Sequence, residues 1–95
     1  MTSVHIRARA IRDVWRAVYG DDVTTGHRLP NEQYRVLCPF HAERNASCDV
    51  SLPKNTYLCR SCGASGGALS LVVAAGNAET HTAAIDWLES HGVVL

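Results

Sequence analysis

Cys38-Pro39-Phe40-His41 and, seventeen residues further on, Cys59-Arg60-Ser61-Cys62-Gly63 are the residues of this 95-residue chain whose types and spacing can do chemistry. One C-x-x-H pair and one C-x-x-C pair close a tetrahedral site of three cysteines and one histidine, the S and N coordination that structural zinc adopts. A tight turn within each pair aims two side chains at one point, and the loop between them is long enough to bring the pairs together. The expectation is one Zn²⁺ per chain, held by Cys38, His41, Cys59 and Cys62. Cys48 competes with His41, since it would complete an all-cysteine site. It stands, however, in an alternating run with Val50 and Leu52, where a cysteine acts as a small buried hydrophobe. His41 stands three residues past Cys38 in a proline-containing turn. His5, His27, His81 and His91 lie outside any chelating spacing and are read as surface or capping residues.

A catalytic zinc keeps one coordination position open beside a general base. Four ligands close this shell. Glu43 is near His41, but neither H-E-x-x-H nor H-x-E with P-C-x-x-C occurs, which argues against a hydrolase or deaminase. Gly63-Ala64-Ser65-Gly66-Gly67 precedes a helical pattern and invites a phosphate-loop reading. Without the Lys-Ser/Thr of a Walker loop, turn geometry beside the second Cys pair explains it better.

The elements that must position these ligands can be read in outline. Residues 4–19 form an amphipathic pattern with Ile11, Val14, Trp15 and Val18 on one face and Arg9, Arg12 and Arg16 on another, closed by Gly20. Residues 24–32, with Gly26, Pro30 and Asn31, read as a loop or short irregular hairpin. Three short strands follow: 33–38 with Tyr34, Val36 and Cys38 on one face, 47–52 with Cys48, Val50 and Leu52, and 56–59 with Tyr57 and Cys59. Pro53-Lys54-Asn55 turns the second into the third. The fold class predicted is α+β, a zinc ribbon over 33–67 flanked by the first helix and by helices at 68–75 and 80–91. Gly76 and Gly92 end the last two.

A chain of this length makes one domain, 1–95, with little core to bury, and a metal crosslink is the expected remedy. The start Met1-Thr2-Ser3-Val4-His5-Ile6-Arg7 carries no apolar run of signal-peptide length, and the longest apolar stretch, 71–75, is too short to span a membrane. The expectation is a cytoplasmic protein with reduced cysteines rather than disulfides. Formal charge is zero, but nine basic against six acidic side chains fall in residues 1–62, an excess of three. That is compatible with nucleic acid without requiring it.

Two segments carry a more specific likeness. Cys38-Pro39-Phe40-His41-Ala42-Glu43-Arg44-Asn45-Ala46-Ser47, followed by Tyr57-Leu58-Cys59-Arg60-Ser61-Cys62-Gly63-Ala64-Ser65-Gly66, resembles the Cys-His-Cys-Cys zinc-binding domain of bacterial and phage DnaG-type DNA primases. That pattern runs C-P-F-H-x-E-K-T-P-S-F, a hairpin, then Y/F-x-C-x-x-C-G-x-x-G before a helix, and the order of elements agrees over nearly the whole chain. Asn45, Ala46 and Cys48 stand where Thr, Pro and Phe are usual, and Gly67 where Asn or Asp is common. A phenylalanine in the slot of Cys48 agrees with a core role there.

The resemblance implies a module that contacts single-stranded DNA template and helps select the initiation site, while a polymerase domain joins ribonucleotides. With the sequence ending at Leu95, the expectation is a stand-alone module of a phage or mobile element, not catalytic alone. Its partners would be single-stranded DNA and a separately encoded primase catalytic subunit or replicative helicase. Template binding needs cations along a groove and flat side chains for stacking. Arg35, Arg44, Lys54 and Arg60 are the candidate cations. Tyr34 and Tyr57 are candidate platforms, although their strand positions read more readily as core, as do Trp15 and Trp87. The rival reading is a protein-interaction or regulatory ribbon that does not touch DNA.

Overall fold

In a computed structural model, residues 10–40 and 44–93 are described; His41 and the N-terminal stretch through Arg9 lie outside them. The element order is helix α1 (Ile11–Tyr19), a 3₁₀ turn (Val23–Thr25), strands β1 (His27–Leu29), β2 (Gln33–Val36), β3 (Cys48–Ser51), β4 (Thr56–Cys59) and β5 (Ser65–Gly67), then helices α2 (Ala68–Ala74) and α3 (His81–Ser90). The five strands form one antiparallel sheet in chain order, an α+β arrangement.

Alternation decides the two faces of that sheet. Tyr34 pairs with Val50, Val50 with Tyr57 and Tyr57 with Gly66, while Val36 pairs with Cys48 and Cys48 with Cys59. These residues share the inner face. Cys48, Val50, Tyr57 and Cys59 are buried there in one cluster with Ile11, Val14 and Trp15 of α1, Leu71 and Val72 of α2, and Ala84 and Leu88 of α3. Rings tie the layers: Trp15 meets Tyr57 edge-on at 6.3 Å, and Phe40 lies 5.8 Å from the same ring. On the opposite face a row runs His27, Arg35, Asp49, Leu58, Ser65, one residue from each strand.

The expected first helix is corrected at its start. Ala10 has extended backbone (ψ 136°), so the helix begins at Ile11, and the expected turn over 4–9 lies outside the described residues. The orphan N–H of Ile11 is taken by the side-chain oxygen of Asn55, from the β3–β4 turn, instead of a neighbouring cap residue. Gly20, at φ +79°, closes the helix with its N–H on the Arg16 carbonyl. The outer stripe of that helix is exposed, as its pattern suggests, and ion-paired: Arg12 and Arg16 both reach Asp22, at 2.9 and 2.7 Å. Residues 24–32 contain the 3₁₀ turn and the extra edge strand β1. The second extra strand, β5, comes from the glycine-rich stretch that reads as a turn. Helices α2 and α3 fall within a residue of their expected ends. Thr80 caps α3 by accepting the Ala83 N–H at 3.1 Å.

Candidate metal centre and the sheet face beside it

Cys38 follows β2 by two residues, Cys59 ends β4, and Cys62 comes from the turn after it, which the Gly63 N–H closes onto the Cys59 carbonyl at 3.0 Å. Gly63 holds φ +79°, a left-handed conformation that suits glycine at the tip of this knuckle. The sheet therefore brings the two chelating segments together. Their three sulfurs all lie within 4.8 Å of one another, and Cys38 Sγ is 3.7 Å from Cys62 Sγ. With Zn–S bonds of about 2.3 Å, tetrahedral geometry requires sulfurs about 3.8 Å apart. The donor set fits zinc in both chemistry and spacing. None of the four cysteines is in a disulfide.

The surroundings treat the sulfurs differently. Burial pushes the Cys38 thiol up to about 12. Burial also raises Cys59, but the Ser47 hydroxyl, 3.3 Å from its sulfur, and the backbone N–H groups of Cys62 and Ser61 more than offset this and hold it at about 6. A thiolate already supplied with donors is a ready metal ligand, and such outer contacts orient it. Ser47 is a residue that the spacing argument missed; only the β3–β4 pairing brings it to Cys59. Cys48 is fully buried, stands outside the three-sulfur group, and is raised to about 12 mainly by burial. It is a core residue. The expected fourth ligand, His41, lies outside the described residues.

The candidate DNA-binding side chains do not form one set. Arg35 donates from Nε and Nη2 to the two carboxylate oxygens of Asp49, at 2.7 and 3.2 Å. Arg60 reaches the same carboxylate at 3.5 Å but is 63% exposed. Asp49 is thus shared by two of the expected cations, a juxtaposition that needs the β2–β3 register to see. Arg44 and Lys54 are exposed. Tyr57 is corrected: at 3% exposure, under Phe40 and Trp15, its ring offers no open face to a base. Leu58 and Leu37, in contrast, are more than half exposed.

A model of the CHC2 zinc finger, the zinc ribbon of DnaG primases, matches residues 18–95. The chain belongs to this family. Its fold is a zinc ribbon with flanking helices, and it is a zinc-binding domain of the primase type. Similar proteins include the DNA primase of Helicobacter pylori strain J99, 45% identical over 47 residues, which are 50% of this chain and 8% of that protein. The DNA primase of Neisseria meningitidis serogroup A is 48% identical over 40 residues, 42% of this chain and 7% of that one. The chain therefore spans under a tenth of the length of these relatives. The crystal structure of the Aquifex aeolicus primase, with its zinc binding and RNA polymerase domains, shares the fold. It superposes with a TM-score of 0.57 over 87% of this chain and 22% of that one, at 24% identity. Among the described residues no helix is long and apolar enough to cross a membrane.

Proposed function

We propose that this CHC2 domain holds one zinc ion through Cys38, His41, Cys59 and Cys62 and uses the open face of its ribbon to bind single-stranded DNA template during primer initiation. Ribonucleotide joining would fall to a polymerase domain outside these residues, in the same or another polypeptide, with that domain or a replicative helicase gripping the same strand. The observation that carries the reading is the family match over 18–95 to the primase zinc ribbon, together with three sulfurs gathered within 4.8 Å of one another, one pair of them at the edge length of a zinc tetrahedron. In support, Arg44, Lys54 and Arg60 are exposed around the ribbon. Arg35 takes a second role in this reading: it neutralises Asp49 so that Arg60 is not cancelled beside a phosphate.

A module with few phosphate contacts has a small electrostatic term, so a second grip on the strand must supply the remaining affinity. The competing reading, a protein-docking ribbon, is favoured by one observation: Leu37 and Leu58 are exposed, at 57% and 52%. Fluorescence anisotropy of zinc-loaded protein with a labelled single-stranded oligonucleotide separates the two. Arg44→Glu and Arg60→Glu should each weaken binding about tenfold, the scale of one lost charged contact, while leaving zinc content unchanged. Unaltered binding in the double variant would favour the docking reading.

A further inference from the structure

Beside the ribbon face lies a cleft of about 380 Å³ that the metal centre does not use. It opens between the end of α1 with its following 3₁₀ turn and the β1–β2 edge of the sheet. Val36, Leu37 and Ala46 give it accessible apolar surface over the buried Trp15 and Val23, and Asp21, His27 and Arg35 carry polar groups around it. Its volume is that of a small-ligand pocket, with the usual composition of apolar walls and a few polar groups. Two features show that the cleft is built into the fold. Gly26 lets the 3₁₀ turn approach β2 so closely that a Cβ there would lie 2.7 Å from both the Arg35 carbonyl oxygen and Val36 Cγ1. Asp22, also in the lining, is occupied by Arg12, Arg16 and Thr24, which fixes the turn.

We infer that this cleft receives one unpaired base of the template strand, an inference that rests on the template-binding reading above. The cleft is continuous with the outer sheet face, because His27 and Arg35, which line it, begin the row that runs through Asp49 to Leu58. A strand whose phosphates follow Arg60 passes the opening. Unpaired bases are recognised when they leave the stack, enter a pocket with apolar walls and present their polar edge to side chains there. Arg35 spends Nε and Nη2 on Asp49 and keeps Nη1 for a base carbonyl. Asp21 is exposed at the rim, and an ionised carboxylate only accepts hydrogen bonds. The Thr25 hydroxyl donates to the Asp22 carbonyl at 2.7 Å, so toward the cleft it too can only accept. Two acceptors favour a base that brings an exocyclic amine, which cytosine, adenine and guanine carry and thymine lacks.

Trp15 lies buried against the cleft and is one of only two tryptophans, so its environment reports on base entry. The experiment uses the zinc-loaded full chain carrying Trp87→Phe, titrated with oligo-dC, oligo-dA, oligo-dT and an abasic oligonucleotide of equal length. Binding is followed both by Trp15 fluorescence and by anisotropy of a labelled strand. In parallel, the Trp15 indole N–H of unsubstituted protein is followed by NMR, which covers any loss of folding in the variant. Oligo-dC and oligo-dA should change the Trp15 signal saturably and bind about tenfold more tightly than oligo-dT, the scale of one hydrogen bond to a charged group. The abasic strand should leave Trp15 unchanged, and Asp21→Ala should bring dC and dA to the level of dT. Anisotropy showing binding with no Trp15 response in either protein, or a preference that survives Asp21→Ala, would overturn the base-cleft inference alone. Absence of all binding at low salt would overturn the template reading and this inference with it.

Discussion

Replacing Cys48 separates a core cysteine from a metal ligand. Its side chain is fully buried on the inner sheet face, paired across the strands with Val36 and Cys59, and its thiol stays protonated far above neutral pH. Cys48→Ala deletes one buried sulfur, a loss on the scale of Ile→Val, and should cost about 1 kcal/mol. Cys48→Ser nearly keeps the volume but places a hydroxyl where a hydrophobe sat, at a cost of about 1–3 kcal/mol if it finds no partner. For a domain of this size, each kcal/mol lowers the melting temperature by about 4–8 °C. Serine should therefore melt below alanine, and both below wild type. Zinc content should stay at the wild-type level in both, whereas Cys62→Ser, which removes one of the three clustered sulfurs, should lose zinc to a competing chelator. The assay is metal analysis after dialysis, with melts run at fixed free zinc because bound metal shifts apparent stability. Loss of zinc from Cys48→Ser to the extent seen in Cys62→Ser would refute the assignment.

Two predictions concern the turn that bounds the cleft. Gly26→Ala should lower the unfolding free energy measured in urea by about 1–3 kcal/mol through overpacking, since its φ of −78° suits alanine and only the contacts with Arg35 and Val36 resist the methyl; an unchanged midpoint would mean the turn does not press on β2. The Arg12 guanidinium, then the Thr24 N–H and hydroxyl, hold the Asp22 carboxyl well below the usual carboxylate range. A carboxylate depressed in the folded state stabilises it above its unfolded pKa of about 4, and this contribution fades as pH falls below that value. Wild type should thus exceed Asp22→Asn in stability at pH 6, with the gap narrowing below pH 4; a constant gap would show that Asp22 acts through geometry rather than charge.

The metal segments and the three central strands were legible because their signals are local: ligand spacing within a turn, and alternation over four residues. The edge strands were not. His27–Leu29 has no apolar alternation, and Ser65–Gly67 is nearly all glycine; Gly66 is chosen by close packing, where a Cβ would sit 2.8 Å from Ser70 Cβ and 3.2 Å from the Tyr57 hydroxyl. The start of α1 misled for a similar reason, since its pattern extends upstream while its N-terminal donor is satisfied by Asn55, forty-four residues away. Ionic partners hid in the same way. Arg35 and Arg60 read as available cations until the strand register placed Asp49 between them, and Tyr57 read as a possible platform until the helices covered it.

The most direct test of the central claim is the salt dependence of single-stranded DNA binding by the zinc-loaded domain. With Arg35 committed to Asp49, three of the four candidate cations, Arg44, Lys54 and Arg60, remain to neutralise phosphates. At about 0.7 counterions released per contact on a single strand, the plot of log K against log salt should fall with a slope of about −2, and chelating the zinc should abolish binding. A slope near zero, no binding at low salt, or binding that survives zinc removal unchanged would contradict the account.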